Sequence, residues 1–224
     1  MNLIKATYEI LSYVSNDGIK ELQHIEKIGR VCYKSENNIT DDGESAKKFD
    51  NMLIANGHEA MIEHSILSVK FIVDRGVSHE IVRHRLASFA QESTRYCNYS
   101  KDKFSNTLNI IDIADGIALD TKMKNMSASE ITQVLIEWYK AMEDAEKHYM
   151  RMIELGATPQ IARSVLPNSL KTEIVMTANY REWRNFFKLR TDIAAHPQMR
   201  EVAIPLLNEL KTLIPVVFDD IEVT

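Results

Sequence analysis

A helix-rich α+β fold in a single domain is what this sequence predicts, on three observations. Stretches whose apolar residues recur every three to four positions outnumber the short β-branched stretches. The 224 residues fit one large domain, with no repeat or linker to divide 1–224. The seven glycines (18, 29, 43, 57, 76, 116 and 156) lie far apart, which excludes the Rossmann fingerprint and the P-loop.

In chain order, residues 2–14 are rich in β-branched and aromatic side chains and predict a strand. Ile19, Leu22, Ile25 and Ile28 predict a helix over 18–33, and Ala46, Phe49 and Leu53 one over 44–56, stopped by Gly57. SILSVKFIVD at 65–74 reads as a strand ended by Gly76, and 77–87 as a short helix with Ser78 at its N-cap. SASE at 127–130 is a capping-box pattern that opens a helix to 155. Its stripe runs through Ile131, Leu135, Trp138, Met142, Ala145, Tyr149 and Met152, and Gly156 ends it. Thr158-Pro159 predicts an N-cap and first position for a helix over 159–166. LKTEIVMTAN at 170–179 reads as a strand, and 181–190 and 198–213 as helices, the latter with Pro205 as a kink point.

Composition narrows the function. With 45% hydrophobic and 26% charged residues, the chain can bury a sizeable core, which excludes a disordered or low-complexity class. Lys plus Arg is 27 against 32 Asp plus Glu, a net charge of −5, so no nucleic-acid partner is expected and an anionic ligand must meet a local basic cluster. Two cysteines, Cys32 and Cys97, are too few for a disulfide framework or a four-cysteine zinc site. The N-terminal stretch lacks an apolar signal core, and no apolar run approaches the ~18 residues of a membrane span. A reduced, cytoplasmic protein without membrane association is the expectation.

The unusual stretch is HEIVRHRLASFAQESTRYCNY at 79–99. It sets Arg83, His84, Arg85 and Arg95 among Ser88, Gln91, Ser93 and Thr94, a donor set suited to phosphate oxygens. On a helix His84 would point away from both neighbouring arginines, so one helix could serve two ligands; a solvated basic face is the other reading. A second polar group comprises Arg163, Asn179, Arg181, Asn185 and Arg190, with Arg181 and Asn185 four apart. Arg190 also reads simply as a cation at a helix C-terminus. HEAMIEH and HEIVRH do not make a zinc site, because their histidines are six and five apart rather than four, so no metal is expected. Cys97 lies near the basic cluster, which could lower a nucleophile's pKa, but no motif compels this and a buried or spectator thiol is the preferred reading.

Together these residues resemble the flavin-dependent thymidylate synthases, the thymidylate synthase complementing proteins. The signature R-H-R, seven residues, Ser appears as Arg83-His84-Arg85, LASFAQE, Ser93, then Thr94-Arg95-Tyr96. H-E-x-x-x-E-H appears from His58 to His64, A-R-x-V-L-P from Ala162 to Pro167, and N-x-R-x-x-x-N as Asn179, Arg181 and Asn185, followed by Leu189-Arg190.

The resemblance implies a fold with a small mixed or antiparallel sheet and long helices, not a Rossmann fold. It implies reductive methylation of dUMP to dTMP, with methylenetetrahydrofolate as carbon donor and FAD reduced by NADPH as hydride carrier. It implies a homotetramer whose sites are shared between subunits. Carried onto this chain, it implies that Arg83, His84, Arg85, Gln91, Asn179, Arg181 and Asn185 contact FAD, with His196 held loosely among them. Glu80, Arg83, Gln91, Ser93, Thr94, Arg95, Arg163 and Arg190 fall to dUMP, with Arg190 as the catalytic group that activates uracil. Two positions depart from the family pattern. Ala60 replaces a hydroxyl residue that touches FAD, and Glu80 replaces a Gln in the nucleotide site; an ionised Glu only accepts hydrogen bonds.

Overall fold

The structure is a computed structural model that describes residues 1–101 and 106–224. Its strands are β1 (Asn2–Ile4), β2 (Thr7–Ile10), β3 (Ile66–Asp74), β4 (Ala87–Gln91), β5 (Asn109–Ile111) and β6 (Lys171–Asn179). Its helices are α1 (Ile19–Tyr33), α2 (Glu44–Ala55), α3 (Arg75–Ile81), α4 (Ala114–Leu119), α5 (Ala128–Glu154), α6 (Pro159–Ala162), α7 (Tyr180–Arg190) and α8 (Pro197–Leu213), with short 3₁₀ turns between some of them.

Alternation in β3 and β6 builds the centre. Leu67, Val69, Phe71 and Val73 share one face with Ile174, Met176 and Ala178, and the strands pair antiparallel from Ile66 opposite Asn179 to Asp74 opposite Lys171. The sheet order is β2-β3-β6-β4, and a separate parallel pair joins β1 to β5. α7 and α8 cover the apolar face with Trp183, Phe186, Phe187, Leu206 and Leu210, and the Trp183 indole donates to the Leu67 carbonyl at 3.0 Å. α8 runs through Pro205 as one helix. Gly29 lets α1 approach α2, because a Cβ there would lie 2.6 Å from the Phe49 ring.

Two expected elements are corrected. The strand over 2–14 is two strands, because β1 pairs parallel with β5 while β2 pairs antiparallel with β3, and the chain must leave one sheet for the other. The helix over 77–87 starts earlier and stops at Ile81. Asp74, not Ser78, caps it by accepting from the Val77 amide at 2.6 Å, and Ser78 lies inside, donating to the Arg75 carbonyl. Ala87–Gln91 is instead β4, whose backbone completes the edge of β6; sheet pairing overrides the local helical pattern. Arg83, His84 and Arg85 therefore occupy the connection between α3 and β4, with both arginines exposed and His84 buried.

A second cluster gathers Tyr99, Leu108, Ile110, Met142, Tyr149, Ala162 and Leu170 against α5. The capping box of Ser127 and Glu130 forms as expected. Only Met142 and Tyr149 of this long helix are buried, and Ile136 and Tyr139 stay exposed.

Between α1 and α2, Asp50 is fully buried, and neither of its carboxylate oxygens has a hydrogen-bond partner. Burial, with Glu26 acting in the same direction and Arg30 opposing, raises its pKa from 3.8 to about 8. Folding raises this carboxyl's pKa, so its contribution to stability is fully present below the unfolded value and is lost as pH climbs toward 8. Asp50→Asn removes that titration. In denaturant unfolding at pH 6, 7 and 8, its stability advantage over wild type is expected to widen with pH, by at most about 1.4 kcal/mol per unit. A gap independent of pH contradicts this.

Candidate active site

The two motif regions meet at the end of α7. Arg190, its last residue, turns back across α3. Its Nε donates to His84 Nε2 at 3.1 Å, one Nη to Glu80 Oε2 at 2.8 Å, and the other Nη to the Glu80 carbonyl at 3.1 Å. His84 in turn contacts Glu182 Oε1 through Nδ1 at 2.9 Å, with its ring 5.0 Å from that of Phe186. Burial pushes His84 below its ordinary pKa and Arg190 pushes the same way, while Glu182 opposes both. Burial and Arg190 thus favour the neutral imidazole.

The local sequence explains this convergence. Asn179 ends β6 in extended geometry and caps α7, accepting from the Glu182 amide at 2.8 Å. Its carbonyl oxygen is thus used, which leaves its amide donor for a ligand. Arg181 and Asn185 follow on the exposed face of α7, as their spacing predicts, and line a cavity of about 800 Å³ with Asn179, Lys188, Leu86 and Glu182. Arg181 is held by Glu63 at 2.5 Å, and the Asn185 amide lies 3.2 Å from Glu182 Oε1. Glu59 also lines this cavity, and the buried Arg184 binds it at 3.0 Å.

Thr94, Arg163 and Gln160 line a second cavity of about 500 Å³. Arg163 donates to Thr94 Oγ1 at 3.2 Å, Arg95 reaches Gln160 at 3.3 Å, and Ser93 Oγ accepts from the Arg95 amide at 3.3 Å. Among the described residues, none lines both of these cavities. Gln91 faces a third one with Glu92, Cys97 and Lys171, and its amide donates to Ser78 and Thr172. His196 is placed apart from the other expected FAD residues, since its ring nitrogen caps α8 by accepting from the Gln198 amide and it lines a small cavity with Asp120 and Met123.

The histidines of HEAMIEH do not converge on a metal. His58 hydrogen-bonds Tyr33 at 3.0 Å, Glu59 and Glu63 pair with arginines, and no metal-holding group of three occurs among the described residues. Sequence reading missed Glu182, Gln160 and Arg75. Arg75 lines the second cavity and carries a buried, unpartnered Nη1. Glu182 had a visible signal, an acidic residue three positions after a helix cap, but that pattern reads first as helix stabilisation.

Comparison with known proteins adds to this geometry. A family model described as thymidylate synthase complementing protein matches residues 15–216. A flavin-dependent thymidylate synthase of Corynebacterium aurimucosum is 32% identical over 205 residues, covering 89% of this chain and 80% of the relative. One of Mycolicibacterium gilvum is 32% identical over 203 residues, covering 89% and 79%. In fold, the chain is similar to a UMP/dUMP methylase from Streptomyces cacaoi solved with 5-Br dUMP, with a TM-score of 0.79, 22% identity, and coverage of 98% and 96%. No helix among the described residues is long and apolar enough to cross a membrane.

Proposed function

The chain belongs to the thymidylate synthase complementing protein family, and from that premise we propose the reaction it performs: reductive methylation of dUMP to dTMP. Methylenetetrahydrofolate supplies the carbon, and NADPH supplies the electrons through FAD. The observation that carries this reading is the meeting of His84 with Arg190, 106 residues apart, which joins the R-H-R motif to the residue expected to activate uracil.

The residues fit such ligands. The larger cavity presents the amides of Asn179 and Asn185, the cations of Arg181 and Lys188, and the apolar surface of Leu86. These groups suit the phosphates and ring of FAD, and the exposed Arg83 and Arg85 flank the connection beside it. The flavin supplies hydride chemistry that no side chain offers. Arg163, Thr94, Ser93 and Arg95 form the donor set for the dUMP phosphate, and their remote binding energy orients the base.

Arg190 has five N–H groups. One is held by His84 and two by Glu80, which leaves one on each terminal nitrogen. These two remain to donate to a carbonyl oxygen of uracil, the acceptor beside N3–H. The guanidinium stabilises negative charge that develops on the ring as C5 becomes the carbon nucleophile. Glu80, rather than contacting phosphate, anchors the arginine.

We assign residues 1–224 to one functional domain acting in the cytoplasm. Supporting the homotetramer are the apolar surface left on α5 and the separation, within one chain, of the Arg163 and Asn185 cavities. Incubation with dUMP, methylenetetrahydrofolate and NADPH tests the reaction: dTMP is expected with FAD and not without it. Absence of dTMP from FAD-loaded protein refutes the reading.

A further inference from the structure

We propose that Glu182 is a positioning residue: by accepting the Nδ1 proton of His84 it turns a bare Nε2 toward Arg190 and so sets the angle of the guanidinium. Arg190, like any arginine, does not give up its proton in a protein. Its Nε is therefore the donor in the 3.1 Å contact, and His84 Nε2 must be the acceptor. A neutral imidazole with a bare Nε2 carries its hydrogen on Nδ1, and that hydrogen needs an acceptor in a buried site. Glu182 Oε1 stands there at 2.9 Å.

Glu182 is only 6% exposed. It sits in the first turn of α7, with the Asn185 amide 3.2 and 3.4 Å from its two oxygens. Phe186 packs on the imidazole and limits its tilt. Without the carboxylate the Nδ1–H form leaves a buried proton with no acceptor, while the Nε2–H form sets donor against donor at Arg190, so neither tautomer is satisfied. Glu182 thus acts on the reaction at one remove, through His84.

The consequence for turnover rests on the proposed dUMP methylation; the tautomer does not, so the two are tested separately. In ligand-free protein labelled with ¹⁵N-histidine, at neutral pH, wild type is expected to show His84 protonated at Nδ1 and bare at Nε2, with His84→Gln assigning the signals. Glu182→Ala is expected to lose that single tautomer. Its kcat for dTMP falls about 10- to 100-fold at retained FAD content, the scale of an orienting partner's loss.

Glu182→Gln, whose amide oxygen still accepts, is expected to keep the tautomer and lose less than about fivefold. An Nε2–H tautomer in wild type overturns the proposal. So does a Glu182→Ala protein with an unchanged tautomer, or one with a changed tautomer and unchanged kcat. Should the alanine variant not fold, a folded glutamine variant that switches tautomer without losing turnover overturns it alone. If wild type makes no dTMP, the dUMP reading fails, and the NMR result still decides whether Glu182 sets His84.

Discussion

Replacing Arg190 by alanine is expected to lower dTMP formation about 10²- to 10³-fold while bound FAD is retained. That is the cost of removing one preorganised donor aimed at developing charge, roughly 3–4 kcal/mol. FAD stays because Asn179, Arg181, Asn185 and Lys188 line their cavity without Arg190. Lysine rescues poorly. Its single ammonium cannot meet His84 Nε2, the Glu80 carboxylate and the Glu80 carbonyl while presenting two further N–H groups in one plane. Steady-state rates and the flavin absorbance of each purified variant check this. An Arg190→Lys enzyme with near wild-type kcat removes the planar fork from the account.

Coexpression of Arg95→Ala with Arg190→Ala is expected to restore activity that neither variant has alone. Within one chain, Arg95 reaches Gln160 at the 500 Å³ cavity, while Arg190 lies at the end of α7 beside the elements of the 800 Å³ cavity. If a working site takes the first block from one subunit and the second from another, random assembly leaves roughly a quarter of sites intact. Activity should then rise from near zero to about that fraction. Mixed tetramers, verified by differently tagged subunits, that stay as inactive as the parents show that both arginines serve a site from one chain.

Much of this was legible in the sequence for simple reasons. Periodicity located α1, α2, α5 and α8: α1, α2 and α8 each bury an apolar stripe on a neighbour, while of the α5 stripe only Met142 and Tyr149 are buried. ILSVKFIVD and KTEIVMTAN read as strands in the sequence, and the fold buries their residues in alternation. ASFAQ did not, since five residues following a helical pattern become a strand only when β6 offers an edge. That error carried into the R-H-R segment. His84 does diverge from Arg83 and Arg85, but in a connection after α3 rather than on a helix.

Motif spacing brought together Asn179, Arg181 and Asn185, and the fold places all three on one cavity. His196, which the resemblance adds to them, caps the start of α8 and lines a different cavity. The contacts of Glu80 and Glu182 were out of reach, because they join α3 to α7 across about a hundred residues.

The central claim is that C5 of dUMP takes its carbon from methylenetetrahydrofolate with arginine stabilising the ring charge and flavin supplying the hydride, without an enzyme thiol. Tritium release from 5-tritiated dUMP by the Cys32→Ser/Cys97→Ser double variant tests it most directly. Cys32 is exposed, and Cys97 is partly buried and lines a cavity with Gln91 and Lys171. The account predicts FAD-dependent tritium release in step with dTMP formation, within a few-fold of wild type. A folded, FAD-bound double variant that releases no tritium would contradict it.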